Sequence, residues 1–359
     1  MQRILLLDAM NLYIRSFAVL NFSNDNGEHV GGTVGTLQSV RSMVELFHPT
    51  KVVFCWDGKN SGKERRSLLP EYKEGRKVRK SLNRTFQWET PDAEWVAFKK
   101  QLYRIKEYLE NMPIYQIELD NMEADDIIAY LSKNHWVDDE KVIVSSDRDY
   151  FQLITDKVSV YRPVKKELIT YDTMMNEYRI YPPNWILLKV LCGDNSDSIP
   201  PIARGLGQKT ATKLFPFLSD THQHTIVDVI EHCEAHKDKG KLYQAVLDNK
   251  DKLDVYWKVM QLGSIELTLP GLQSLLESLA MTPTLKPFQL RLMFMQDNAF
   301  KQVHQFAIWS RLMMPLNAAS NLKEEDGRRN NQPHLTVAGQ PDTNVGNVQT
   351  AERDDGEKQ

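Results

Sequence analysis

The chain has 359 residues, of which 41% are hydrophobic and 26% charged, with a formal net charge of −3. Such a length supports one large domain or two modest ones, and the mix is that of an ordinary globular protein. No apolar run is long enough to span a bilayer, and three cysteines (Cys55, Cys192, Cys233) without metal-ligand spacing argue for reduced thiols in a cytoplasmic protein rather than a disulfide framework.

In chain order, "MQRILLLDAM" reads as a first strand, Ile4–Leu7, rather than a signal peptide, because Asp8 interrupts the run and no cleavage site follows. A helical pattern covers Thr33–Phe47, and a buried strand covers Val52–Trp56. A helix over Ala93–Asn111, a strand at Ile114–Leu119, a helix over Glu123–Asn134 and a strand at Val142–Val144 follow. Alternating strands and helices predict an α/β domain built on a mainly parallel central sheet flanked by helices. From about residue 181, "PPNWILLKVLCGDNSDSIPPIARGLGQKTATKLF" reads as helix, acidic loop, Gly-rich turn, helix. Further helices are expected near Ile226–Cys233, Lys241–Met260, Leu272–Ala280 and Pro287–Leu312, and a polar, disordered tail over 317–359.

Charge is unevenly spread. Residues 323–359 hold five basic and eight acidic residues, which accounts for the whole −3. Between Lys59 and Arg84, ten Lys/Arg stand against three Glu, a local footprint for a polyanion that the total conceals.

The acids fall where a parallel sheet presents its ligand-binding edge, beyond the carboxyl ends of the strands. Asp8 follows "RILLL", Asp57 follows "KVVFCW", and Asp147 and Asp149 follow "KVIVSS". Glu123, Asp125 and Asp126 open the helix after "IYQIELD", and "GDNSDSIP" adds Asp194 and Asp197. One Asp after a strand is an ordinary turn residue, but repeated delivery to one edge is not. Nine hard oxygen donors without His or Cys favour Mg²⁺ or Mn²⁺, and exceed what one Mg²⁺ needs. The pattern predicts two metal ions and in-line displacement at phosphorus. A structural Ca²⁺ site would keep its ligands local, whereas these come from five separated segments.

The basic run "KNSGKERRSLLPEYKEGRKVRKSLNR" starts directly after Asp57 and Gly58, beside the expected metal site, and carries Tyr72, an aromatic for base stacking. It is long for a connection, as functional loops are. It would bring Lys73 or Arg76 to the charge developing on a scissile phosphate. "GLGQKTATKLF" (Gly205–Phe215) offers backbone N–H groups and Lys209 to a duplex backbone, without reading sequence.

These motifs in this order ("LLLDAMNLYIR", "VFCWDGKNSG", "LPEYKEGR", "EADDIIA", "SSDRDYFQLITDKV" and "GDNSDSIPPIARGLGQKTA") resemble the flap endonuclease / 5′–3′ exonuclease superfamily, bacteriophage type, which includes the phage ribonuclease H. The likeness covers about residues 1–215 and continues loosely to about 316. It implies a PIN-like nuclease core over 1–180 with a helical arch near 59–92. It also implies a helical duplex-binding region over 181–316, with a helix–two-turn–helix motif. Asp8, Asp57, Glu123, Asp126 and Asp147 would surround a first Mg²⁺, and Asp149, Asp194 and Asp197 a second, with Asp125 acting through water. Lys73 and Arg76 match arch positions at the scissile phosphate, Tyr72 a stacking position and Arg15 a phosphate contact. Gly205, Gly207, Lys209 and Thr210 match the duplex-binding motif, which in some relatives holds K⁺. The implied activity is a monomeric 5′–3′ exonuclease and flap endonuclease of replication or repair, in the host cytoplasm if phage-encoded. It would act on branched or nicked duplex DNA and RNA–DNA hybrid, leaving 5′-phosphates. A single-strand-binding protein, polymerase or clamp would be natural partners.

Competing readings fare worse. A catalytically silent junction-binding scaffold would be marked by loss of the acids, and they are all present. A haloacid-dehalogenase-type phosphatase needs a second Asp two residues after Asp8, where Met10 stands. A smaller metal-dependent ribonuclease would lack the arch and the Gly205–Thr210 motif.

Overall fold

The computed structural model describes residues 2–77 and 81–297, with Met313 and Leu316. The expected tail over 317–359 and the stretch 298–312 of the expected last helix lie outside the described residues.

Six strands form one sheet: β1 (Arg3–Asp8), β2 (Lys51–Trp56), β3 (Tyr115–Glu118), β4 (Glu140–Val144), β5 (Val158–Arg162) and β6 (Glu167–Ile169). Their order is β3-β2-β1-β4-β5-β6. All neighbours run parallel except the β5–β6 hairpin at the edge. The strands read as continuous apolar runs because both faces are covered. Alternation then sorts them. Ile4, Leu6, Val53, Cys55 and Ile143 pack on one face, and Leu5, Leu7, Val52, Phe54 and Val142 on the other. Each fully buried Leu here stabilises by roughly 1.5–3 kcal/mol.

Helices α1 (Ala9–Val19), α2 (Gly31–Phe47) and α4 (Pro91–Leu109) cover the Leu5 face, and α5 (Ala124–Asn134) the Ile4 face. A short α3 (Lys63–Leu68) lies in the basic segment, and α6 (Tyr171–Thr173) follows the hairpin. Then come α7 (Trp185–Cys192), α8 (Gln208–Leu214), α9 (Ile226–His236), α10 (Lys241–Leu247), α11 (Lys250–Met260), α12 (Leu269–Ala280) and α13 (Pro287–Gln296). Residues of α7, α9 and α11, among them Leu187, Val229 and Tyr256, share the core of the Ile4 face.

The expected Lys241–Met260 helix is two helices. Asn249 turns its amide onto the Ala245 carbonyl (2.9 Å) and its backbone leaves helical geometry (φ −116°), so α11 starts afresh at Lys250. The β5–β6 hairpin is an addition to the expected strands. The three cysteines are unpaired, and no helix among the described residues is long and apolar enough to cross a membrane.

Strand order reverses direction at β1, between β2 on one side and β4 on the other. Such a switch point opens a crevice at the carboxyl edge. Asp8 ends β1, and Asp147 and Asp149 follow β4 across that crevice.

Candidate active site

Asp8 caps α1. Its Oδ1 accepts from Asn11 N (3.0 Å), and its Oδ2 from Ser145 Oγ (3.1 Å) and Tyr150 Oη (3.3 Å). It is 8% exposed, and burial raises its carboxyl to about 6 against the pull of the Asn11 N–H, with Asp147 and Asp57 adding repulsion. Ser145 also accepts from Asp147 N (3.1 Å), and Asp147 Oδ1 from Asp149 N (2.9 Å), so one hydroxyl and one turn set the β4 carboxylates beside β1.

Asp57 reaches α5, its Oδ1 accepting from Ala124 N (2.9 Å). The two loops touch through Gly58, whose N–H donates to Met122 O (3.0 Å), and a Cβ at Gly58 would sit 1.8 Å from Leu119 O. Only glycine lets the β2 and β3 ends approach this closely.

The crowded start of α5 is neutralised from the basic segment. Arg65, 9% exposed, pairs with Glu123 Oε2 and with Asp126 Oδ1 (2.6 Å), and donates from Nε to Val259 O (2.9 Å). Lys73 Nζ lies 2.8 Å from Glu123 Oε1, and Tyr72 Oη donates to Glu123 Oε2 (2.9 Å). Burial works to raise Glu123, but Arg65 and Lys73 hold it below the usual range. Burial drives Asp125 well upward, though Lys73 and Arg65 oppose it, and Asp126 rises for the same first reason.

The other half has its own internal cation. Lys189 of α7 stands between Asp149 (Oδ1 at 2.6 Å) and Asp194. Burial pushes Asp149 to about 7, with Asp147 adding repulsion, whereas Lys189 holds Asp194 low against its own burial. The acidic loop is tied back by a bridge between Asp194 and Ile199, and Asp197 O accepts from Lys73 N (2.8 Å). That last bond joins the arch segment to the second half of the cluster.

All nine predicted carboxylates therefore face one edge, linked by shared partners and mutual repulsion. They stay apart in detail: among the described residues, no three of these nine bring ligand atoms within 4.8 Å of one another. Arg65, Lys73 and Lys189 stand between them. Three cations against nine carboxylates, all but the exposed Asp57 buried or half-buried, leave a negative excess of hard oxygen donors. That donor set fits divalent Mg²⁺ or Mn²⁺, which keep bound waters and so accept carboxylates at a distance.

Other predicted residues divide. Tyr72 is corrected: it is 3% exposed, under the Lys73 ammonium (4.8 Å from the ring centroid), so its face is not open to a base. A hydroxyl bonded to a buried carboxylate outweighs exposure of the ring. Lys73 itself takes a left-handed backbone (φ 57°) that turns it inward. Arg76 lies in the turn Glu74–Lys77, and its side chain lies outside the described set. Arg15 is half-buried, its Nη1 without a hydrogen-bond partner, and burial lowers its pKa. Gly205 (φ 88°) and Gly207 have open space around them, Gly207 caps α8, and Lys209 is exposed beside Thr210. The expectations missed Arg65 and Lys189. Lys189 had a signal: a lone charge in "WILLKVLC" must find a partner if the helix is buried.

Residues 3–179 match the family described as 5′-3′ exonuclease, N-terminal resolvase-like domain. The chain is 34% identical over 221 residues to a 5′-3′ exonuclease of Bacillus subtilis, covering 59% of this chain and 69% of that one. It is 31% identical over 214 residues to the thermostable DNA polymerase I of Thermus thermophilus, but spans only 24% of that protein's length. Among solved structures, the bacteriophage T5 D15 protein co-crystallised with metal ions superposes with a TM-score of 0.58 at 20% identity, over 73% of this chain and 90% of that one. The T5 flap endonuclease in a product complex with DNA and metal ions gives 0.58 at 18%, over 85% and 100%. The structural likenesses establish a shared fold, and the B. subtilis relative establishes descent. The chain belongs to the flap endonuclease / 5′–3′ exonuclease superfamily of nucleases.

Proposed function

We propose that this 5′ nuclease hydrolyses phosphodiesters near the 5′ end of a strand in branched or nicked duplex, with two Mg²⁺ ions, leaving 5′-phosphates. The observation that carries the reading is the convergence of nine carboxylates from five separated segments on one sheet edge. Asp8, Asp57, Glu123, Asp126 and Asp147 would hold one ion, and Asp149, Asp194 and Asp197 the other, with Asp125 behind a water. Bound there, the ions supply Lewis-acid activation of water and of the phosphoryl oxygens.

The chain's own groups do the rest. Lys73 reaches the carboxylates from the arch, which supports a role in which its ammonium would move between Glu123 and a scissile phosphate. Arg15, with one buried N–H unpartnered, is suited to a phosphate on the same edge. The open backbone at Gly205–Gly207 with Lys209 would hold duplex without reading bases. Contacts of that kind follow helix geometry, so RNA primers paired to DNA belong to the substrate class. The α/β part, about 1–180, would carry the chemistry and 181–316 the duplex.

Cleavage of a 5′-labelled flap duplex in Mg²⁺, beside an EDTA control and an unbranched strand, tests this. Cuts near the branch are expected, and Asp147→Ala or Asp194→Ala should abolish them with the circular dichroism unchanged. Near-wild-type turnover in both variants would overturn the assignment.

A further inference from the structure

Away from the sheet edge, the segment "SDTHQHTIVD" brings Asp220, His222 and His224 together, one ligand atom from each lying within 4.8 Å of the others. It is the only such trio among the described residues. We infer that Asp220, His222 and His224 form a second metal site, separate from the nuclease centre, for a borderline transition-metal ion such as Zn²⁺.

The donor set differs in kind from the nine carboxylates. Two imidazoles and one carboxylate are the donors of Zn²⁺, not of Mg²⁺. The geometry is nearly closed already. His224 Nε2 is 3.0 Å from Asp220 Oδ2, about the edge of a small coordination polyhedron, and the two imidazole centroids are 4.1 Å apart. The exposed His222 offers a ring nitrogen within 4.8 Å of the ligand atoms of both others.

The support around the donors is equally specific. The other His224 nitrogen, Nδ1, faces Asp228 Oδ2 at 3.6 Å. A carboxylate behind a metal-bound imidazole fixes its tautomer and raises its basicity. Asp228 is itself held, accepting from Thr225 N (2.6 Å) and Thr225 Oγ1 (2.8 Å). The His224 ring packs against Phe217 (4.7 Å between centroids). Backbone rigidity comes from Asn184, which is fully buried. Its amide donates to Asp220 O (3.4 Å) and His222 O (3.0 Å), and its Oδ1 accepts from His224 N (2.8 Å). One buried side chain thus fixes the backbone of all three alternate residues that carry donors, the condition for a preorganised site.

An ion here would pin the link between α8 and α9, and so the end of the Gly205–Phe215 motif. The test is titration of the full chain with Zn²⁺ in excess Mg²⁺, by calorimetry, with Co²⁺ absorption as a spectroscopic reporter. Wild type should bind one Zn²⁺ equivalent that His222→Ala and His224→Ala lose and Asp147→Ala keeps. Asp228→Asn should weaken it about 10–100-fold. Co²⁺ should give the visible bands of a four-coordinate site, and Zn²⁺ should raise the melting temperature of wild type but not of His222→Ala. His222 is exposed, so that variant folds, and melting in EDTA checks it. Unchanged Zn²⁺ stoichiometry in both histidine variants, or loss of the ion in Asp147→Ala instead, overturns the inference.

Discussion

Asp8→Asn should stabilise the metal-free protein while abolishing catalysis. Asp8 is 8% exposed, and its carboxyl sits at about 6 instead of 3.8, first through burial and then through Asp147 and Asp57. A folded-state value raised above the unfolded one means the folded chain holds the proton more tightly. The stability this contributes is complete below about pH 4 and is lost as pH rises through about 6. In neutral, metal-free solution the charged form therefore costs up to about 3 kcal/mol relative to a neutral group of the same shape. Asparagine is such a group. Its Oδ1 keeps the bond from Asn11 N, and its amide can donate to the hydroxyl of Ser145 or Tyr150, each of which can accept. Urea unfolding in EDTA should show the variant about 2–3 kcal/mol more stable than wild type near pH 8, with the gap about halved near pH 5 and closing towards about pH 4. Mg²⁺ should reverse the order, because only wild type gains by binding it. Equal or lower stability of the variant in EDTA near pH 8 would refute the reasoning.

Arg65→Met should cost about 3–5 kcal/mol by leaving Glu123 and Asp126 short of their buried partner, whereas Arg66→Ala on the same short helix should stay within about 0.5 kcal/mol. Paired urea melts decide, and equal effects would show that Arg65 is a surface residue like its neighbour. Gly58→Ala forces the Asp57 and Glu123 loops apart, so metal-dependent cleavage should fall steeply at a stability loss of about 1–3 kcal/mol; wild-type turnover would contradict the close approach. Tyr72→Phe should lower stability by about 1.5–3 kcal/mol, the worth of a hydrogen bond to a charged group, and leave DNA affinity unchanged. Weaker DNA binding without a stability loss would restore a base-stacking role.

The α/β architecture was legible because strands buried on both faces cannot alternate, and "RILLLD", "KVVFCW" and "EKVIV" do not. The acids were legible because each sits just past a strand or helix whose end the pattern marks. What escaped was pairing. The run Lys59–Arg84 reads as one solvated basic surface, yet Arg65 turns into the core and Arg66, the next residue, faces out. On a six-residue helix no periodicity is long enough to assign the buried side. Tyr72 failed for the same reason: an aromatic between charges signals a base only if its ring is free, and Glu123, 51 positions away, decides that. The break at Asp248–Asn249 escaped because apolar spacing continues across it, while the bond that stops the helix is a side chain's.

The opening of α5 also shows how a crowd of buried carboxylates can be stable without a bound ion. Glu123, Asp125 and Asp126 repel, and burial enlarges that repulsion. Arg65 and Lys73 answer it from the arch, and Lys189 does the same for Asp149 and Asp194 from α7. These cations differ in how firmly they are tied. Arg65 also donates to Val259 O on α11, so it is part of the scaffold whatever the carboxylates bind. Lys73 is held by Glu123 and by the face of its neighbour Tyr72, without a backbone acceptor on α11 such as Arg65 has, at the end of a segment that joins the acidic loop by one backbone bond to Asp197. A divalent ion held by Glu123 would compete with Lys73 for that carboxylate, whereas Arg65 would keep its bond to Val259 O. On the proposed reading, Lys73 would then be released towards a phosphate as the carboxylates took up an ion, which would tie the arch to the state of the metal centre.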